Sequence, residues 1–64
     1  MNNAIENVKT AAHDLQHARQ HIQDALNSVE KQENRTKIQG TLSAIDNAIT
    51  SAQQTINNYM ESSK

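Results

Sequence analysis

Two seven-residue ladders run through the first half of the chain, Val8, Leu15, Ile22 and Val29 in one and Ala4, Ala11, Ala18 and Ala25 in the other. Recurrence at seven places residues along one side of an α-helix, because two helical turns almost close the repeat. Large aliphatic side chains in one row with alanines beside them describe a surface that a second helix can approach closely. From Ile5 the apolar positions continue at Val8, Ala12, Leu15, Ile22, Leu26 and Val29, alternately three and four apart, with Arg19 on the one polar rung. A second stripe follows at Ile38, Leu42, Ile45, Ile49, Ala52, Ile56 and Tyr59 with the same alternation. Each half is predicted to be an amphipathic helix about 40 Å long.

Residues 30–37 separate the stripes and contain no apolar side chain, but carry Glu30, Lys31, Glu33, Arg35 and Lys37. The nine steps from Val29 to Ile38 would rotate a continuous helix by about 180° relative to its starting face. The second stripe would then face away from the first, so a break is predicted. Asn34 can adopt the left-handed conformation that closes a helix, and Thr36 with Gln39 has the spacing of a capping box.

The expected fold is therefore all-α: a single domain over 1–64 forming an antiparallel two-helix hairpin, with a helix about 3–32, a turn about 33–36 and a helix about 37–61. Folding about that turn pairs Val29 with Ile38, Ile22 with Ile45, Leu15 with Ala52 and Val8 with Tyr59. The competing architecture is a long bent helix in an extended oligomer, whose two stripes would touch different chains.

Gly40, the sole glycine, falls inside the second predicted helix, where it costs about 1 kcal/mol relative to alanine. Three readings fit: a weak helix start, the end of a longer first helix with Thr41 or Ser43 opening the second, or close approach of another backbone. The last is suggested by the small-residue strip Gly40, Ala44, Ala48 and Ser51. The alanine ladder, set against Thr41, Ala48 and Thr55, predicts an unusually close helix pair.

A 64-residue chain buries only about 60% of its unfolded surface, so its core needs help. Cysteine is absent, which closes the disulfide route and excludes a thiolate metal site. Oligomerisation or a very regular helix pair remains, and the expectation is a homodimer forming a four-helix bundle, with a heteromeric protein partner as the alternative. The outside of the second helix agrees: between Ile38 and Met60 the only charged residue is Asp46. Short uncharged side chains can enter an interface at low cost if they find hydrogen bonds, although a neutral solvated face gives the same pattern.

The formal net charge of −1 supplies no field to draw in phosphate backbones or anionic membranes. No apolar run exceeds two residues, far short of a membrane span or a signal-peptide core. A cytoplasmic location is expected, with no membrane partner and no small-molecule substrate. No nucleophile has a base at useful spacing, no glycine-rich phosphate loop exists and no pair of carboxylates shares a face. Catalysis is not expected.

His13, His17 and His21 are one helical turn apart, and a pair of them could chelate zinc, nickel or copper. A structural site needs about four ligands, and the hairpin offers no obvious fourth. They are read as solvated or interface histidines, with no metal or cofactor expected; weak transition-metal binding through the His13, His17 and His21 ladder is kept as an alternative function. Arg19 occupies a seam position where a charge must reach water or a carboxylate. Asp46 lies within about one turn of it in the hairpin, so an Arg19 and Asp46 pair that fixes register is expected.

Two groups of proteins resemble the expected architecture by shape alone. Plasmid copy-control hairpin dimers bind RNA loops through a bundle face, which makes an RNA-binding dimer the alternative function. Here only Lys31, Arg35 and Lys37 cluster, and Glu30 and Glu33 offset them. Small sporulation phosphatases carry a serine-glutamine-glutamate-leucine-aspartate motif, whereas this chain reads Ser43-Ala44-Ile45-Asp46. Without the glutamine and one residue short, it lacks that chemistry. The leading expectation is a non-enzymatic structural or regulatory module acting through helix packing.

Overall fold

The computed structural model describes residues 3–60. It contains helix α1 (Ala4–Ser28) and helix α2 (Gln32–Asn58), joined by residues 29–31. The helices run antiparallel and pack against each other along their length. The molecule measures 55 × 20 × 11 Å. Its thinnest dimension is about one helix diameter, so the hairpin is a single layer with two open faces.

α1 begins where Asn3 Oδ1 accepts a hydrogen bond from the Glu6 amide at 2.9 Å. Asn3 is extended, as an N-cap residue is, and Glu6 places a negative charge in the first turn. At the other end Val29 is extended at φ −72°, ψ 140° and donates its amide to the Ala25 carbonyl. Ser28 Oγ bonds back to the Asp24 and Ala25 carbonyls at 3.1 and 3.3 Å, which competes with continuation of the helix. α2 opens after Lys31 without a side-chain cap, but with Glu33 in its first turn.

The turn therefore lies at 29–31, ahead of the expected 33–36. Asn34 is inside α2, and no non-glycine residue among those described has a positive φ. Thr36 is also helical and caps nothing; its hydroxyl accepts a long 3.4 Å bond from Gln32 Nε2. The physical reason is a cap supplied from elsewhere in the chain, the Arg35 guanidinium described below. α2 ends at Asn58 and Tyr59 is extended, whereas the expected end at Glu61 lies outside the described residues.

Moving the turn changes which residues are level. With equal rise in both helices, a turn centred on Glu30 sets Ile22 level with Ile38, Leu15 with Ile45 and Val8 with Ala52. The expected pairing was displaced from this by one heptad. A shift of one repeat keeps each apolar stripe facing the other helix, so the pattern of faces survives although every expected pair changes.

Gly40 is within α2, which removes the reading in which it closes α1. An added Cβ there would meet nothing within 4 Å, so α1 makes no close approach at this point. The alanine ladder is also uneven: Ala18 and Ala25 are half-buried, while Ala4 and Ala11 are exposed. A strict seven-residue row drifts by about 20° per heptad around a straight helix. A row that already flanks the seam thus passes out of the contact towards one end, and the expected close packing along the whole ladder does not occur within the hairpin.

Candidate functional site

The most prominent surface is the apolar seam itself. Ile5, Val8, Leu15, Ile22, Leu26 and Val29 from α1 are all half-buried, as are Ile38, Leu42, Ile45, Ile49 and Ile56 from α2. Among the described residues only Ala12 is buried, at 6% exposure. One helix covers part of each aliphatic side chain and leaves the rest to solvent, which is the geometric consequence of a one-layer fold. Tyr59 and Met60 add apolar surface at the open end, with Met60 86% exposed. Of the small-residue strip, Ala48 is half-buried, whereas Gly40, Ala44 and Ser51 are exposed.

Two arginines cross between the helices. Arg19 Nε donates to Asp46 Oδ1 at 2.5 Å. The pair spans the helices because side chains lean towards the N-terminus of their own helix. In an antiparallel pair Arg19 leans to the open end and Asp46 leans to the turn, so the two converge from different levels. Both side chains keep more than a third of their surface in water, 36% and 44%. Solvent screening limits such a pair to about 0.2–1 kcal/mol.

Arg35 is the residue that sequence reasoning assigned to a basic cluster and whose contact it missed. Its Nη1 donates to the Leu26 carbonyl at 3.0 Å and its Nη2 to the Val29 carbonyl at 3.1 Å. α1 has no basic residue in its own last turn. Arg35 reaches across from the first turns of α2 and places a cation on the negative end of the α1 dipole. The sequence signal was available: an uncharged helix end followed, a few residues later, by an arginine. This contact also withdraws Arg35 from solvent and leaves Lys31 and Lys37 as the exposed cations of that cluster.

The histidines lie on the outer side of α1, and all three are exposed. His13 Nε2 and His17 Nε2 are 3.1 Å apart, with the rings edge to face at a centroid separation of 4.6 Å. Among the described residues, no group of three or more His, Asp or Glu side chains is placed to hold a metal ion. A shallow open hollow of about 270 Å³ lies against α1, lined by Gln20, Gln23, Leu26 and Asn27. Its polar groups are amides, which neither titrate nor attack. No described helix is long and apolar enough to cross a membrane.

Comparison of the chain with protein-family models, curated proteins and solved structures gave no match.

Proposed function

We propose that the chain is a non-enzymatic helix-packing module whose working form is a homodimer, two hairpins closing into a four-helix bundle. The observation that carries the reading is the state of the seam. Eleven large aliphatic side chains, from Ile5 to Ile56, are half-covered, and among the described residues nothing larger than Ala12 is buried. Each such side chain, once covered, contributes about 1.5–3 kcal/mol relative to exposure. A single layer forgoes part of that contribution at every rung, while the conformational entropy of ordering the chain remains in full.

A second copy is the simplest cover. Its faces have the same heptad spacing, and two-fold closure satisfies both hairpins at once. The near-neutral outer side of α2 supports this: between Ile38 and Met60 a single charge, Asp46, must be accommodated, and it already has Arg19 as partner. Within this reading the module acts by presenting helix surface to a protein rather than by chemistry, and its placement is cytoplasmic.

Sedimentation equilibrium at micromolar concentration tests the reading. The expected mass is twice the 7.1 kDa of the chain. A monodisperse, fully helical monomer over the same range contradicts it.

A further inference from the structure

We propose that His13 and His17 form a two-imidazole chelating site for a divalent late transition metal, copper(II), nickel(II) or zinc(II). This is independent of the dimer, since both ligands belong to one helix of one chain. The two Nε2 atoms are 3.1 Å apart. Nitrogens at that separation, each about 2.0–2.1 Å from a common ion, subtend roughly 100° at the metal. That value lies between the right angle of square-planar or octahedral coordination and the tetrahedral angle. The separation of the two nitrogens is therefore that of a chelating pair before any ion arrives.

The donor type selects the ion. Imidazole nitrogen suits copper, nickel and zinc, whereas magnesium and calcium take oxygen ligands. Affinity is expected to follow the general order in which copper(II) exceeds both nickel(II) and zinc(II). In the metal-free pair one Nε2–H points at the other nitrogen. In the chelate both Nε2 lone pairs face the ion, and the ring that had been the donor carries its proton on Nδ1. Both rings are exposed, so water fills the remaining coordination positions and no third side chain is needed. The site is thus open and exchangeable, unlike a closed structural zinc site with four protein ligands.

His21 provides the internal control, because His17 and His21 have the same spacing in sequence but only His13 and His17 are in contact. The test is isothermal titration of the full chain with copper(II), nickel(II) and zinc(II) salts at neutral pH, with His13→Ala/His17→Ala measuring background binding. Thermal melting with and without metal accompanies it. The parent is expected to bind one ion per chain and to melt at higher temperature when metal is present, because the pair exists only while the helix is folded. His13→Ala and His17→Ala should each weaken binding by roughly tenfold or more, since loss of either ligand removes the chelate effect. His21→Ala should bind within about twofold of the parent. Parent-like binding by His13→Ala, or loss of binding in His21→Ala, overturns the assignment, as does absence of saturable binding above the double-variant background.

Discussion

The two ends of the hairpin are held by different kinds of force. At the turn, a guanidinium with two donors is fixed on the Leu26 and Val29 carbonyls, and the connection is three residues long. Towards the open end the Arg19 and Asp46 pair is the last ion pair between the helices among the described residues. Beyond it the helices are joined by apolar contacts, the buried Ala12 and the half-covered aliphatic side chains around it. The turn is specified by directional bonds that exist only in one register, whereas the open arms depend on apolar area that a single layer cannot fully bury. The hairpin should therefore fray from its open end, and a second copy should matter most there.

The largest expected effect breaks the turn. Arg35→Ala removes two charge-assisted bonds, to the Leu26 and Val29 carbonyls, a loss of about 1.5–3 kcal/mol. Thermal melting followed by circular dichroism measures it. Arg35→Lys should recover part of that loss, because a lysine offers a point charge rather than a two-pronged donor. Equal stability of Arg35→Ala and the parent would mean that the turn is set by something else.

Ala12 and Ala11 compare a buried and an exposed alanine in adjacent positions. Ala12→Leu should overpack a buried site and cost about 1–3 kcal/mol. Ala11→Leu on the outer surface should change hairpin stability by no more than about 0.5 kcal/mol. Denaturant titration of both variants gives the difference, and similar values would show that the helices are not closely packed at Ala12.

Gly40→Ala asks what the outer side of α2 meets. An added methyl group finds open space within the hairpin, and the helical backbone there accepts it. Helix propensity alone then stabilises the variant by about 1 kcal/mol. A loss of stability accompanied by weaker self-association would place Gly40 at the contact between copies. The smallest effect is expected at Arg19 and Asp46, where a double-mutant cycle to alanine should yield a coupling of about 0.2–1 kcal/mol that shrinks with added salt.

The helical class and both apolar faces were legible because a heptad pattern reports rotation about a helix, which neighbours in sequence determine. The need for a break was legible for the same reason, since residues 30–37 carry the pattern out of phase. Its position was not. Nothing in residues 30–37 is apolar, so periodicity cannot say where within them the chain turns, and Asn34 and Thr36 offered local signals that a tertiary contact overrode. Arg35 acts on carbonyls nine and six residues away, beyond the reach of capping rules that compare near neighbours. Arg19 and Asp46 were found despite the shifted register because a long side chain spans about a turn. The closeness of His13 and His17 follows from their spacing, but the 3.1 Å separation of their nitrogens depends on rotamers that spacing leaves open.

The central claim, that one hairpin is an incomplete fold completed by its own copy, is tested most directly by the melting temperature as a function of concentration. If folding and dimerisation are linked, a hundredfold increase in chain concentration should raise the midpoint by roughly 10 °C. A cooperative transition at one temperature across that range would show that the single layer is stable by itself.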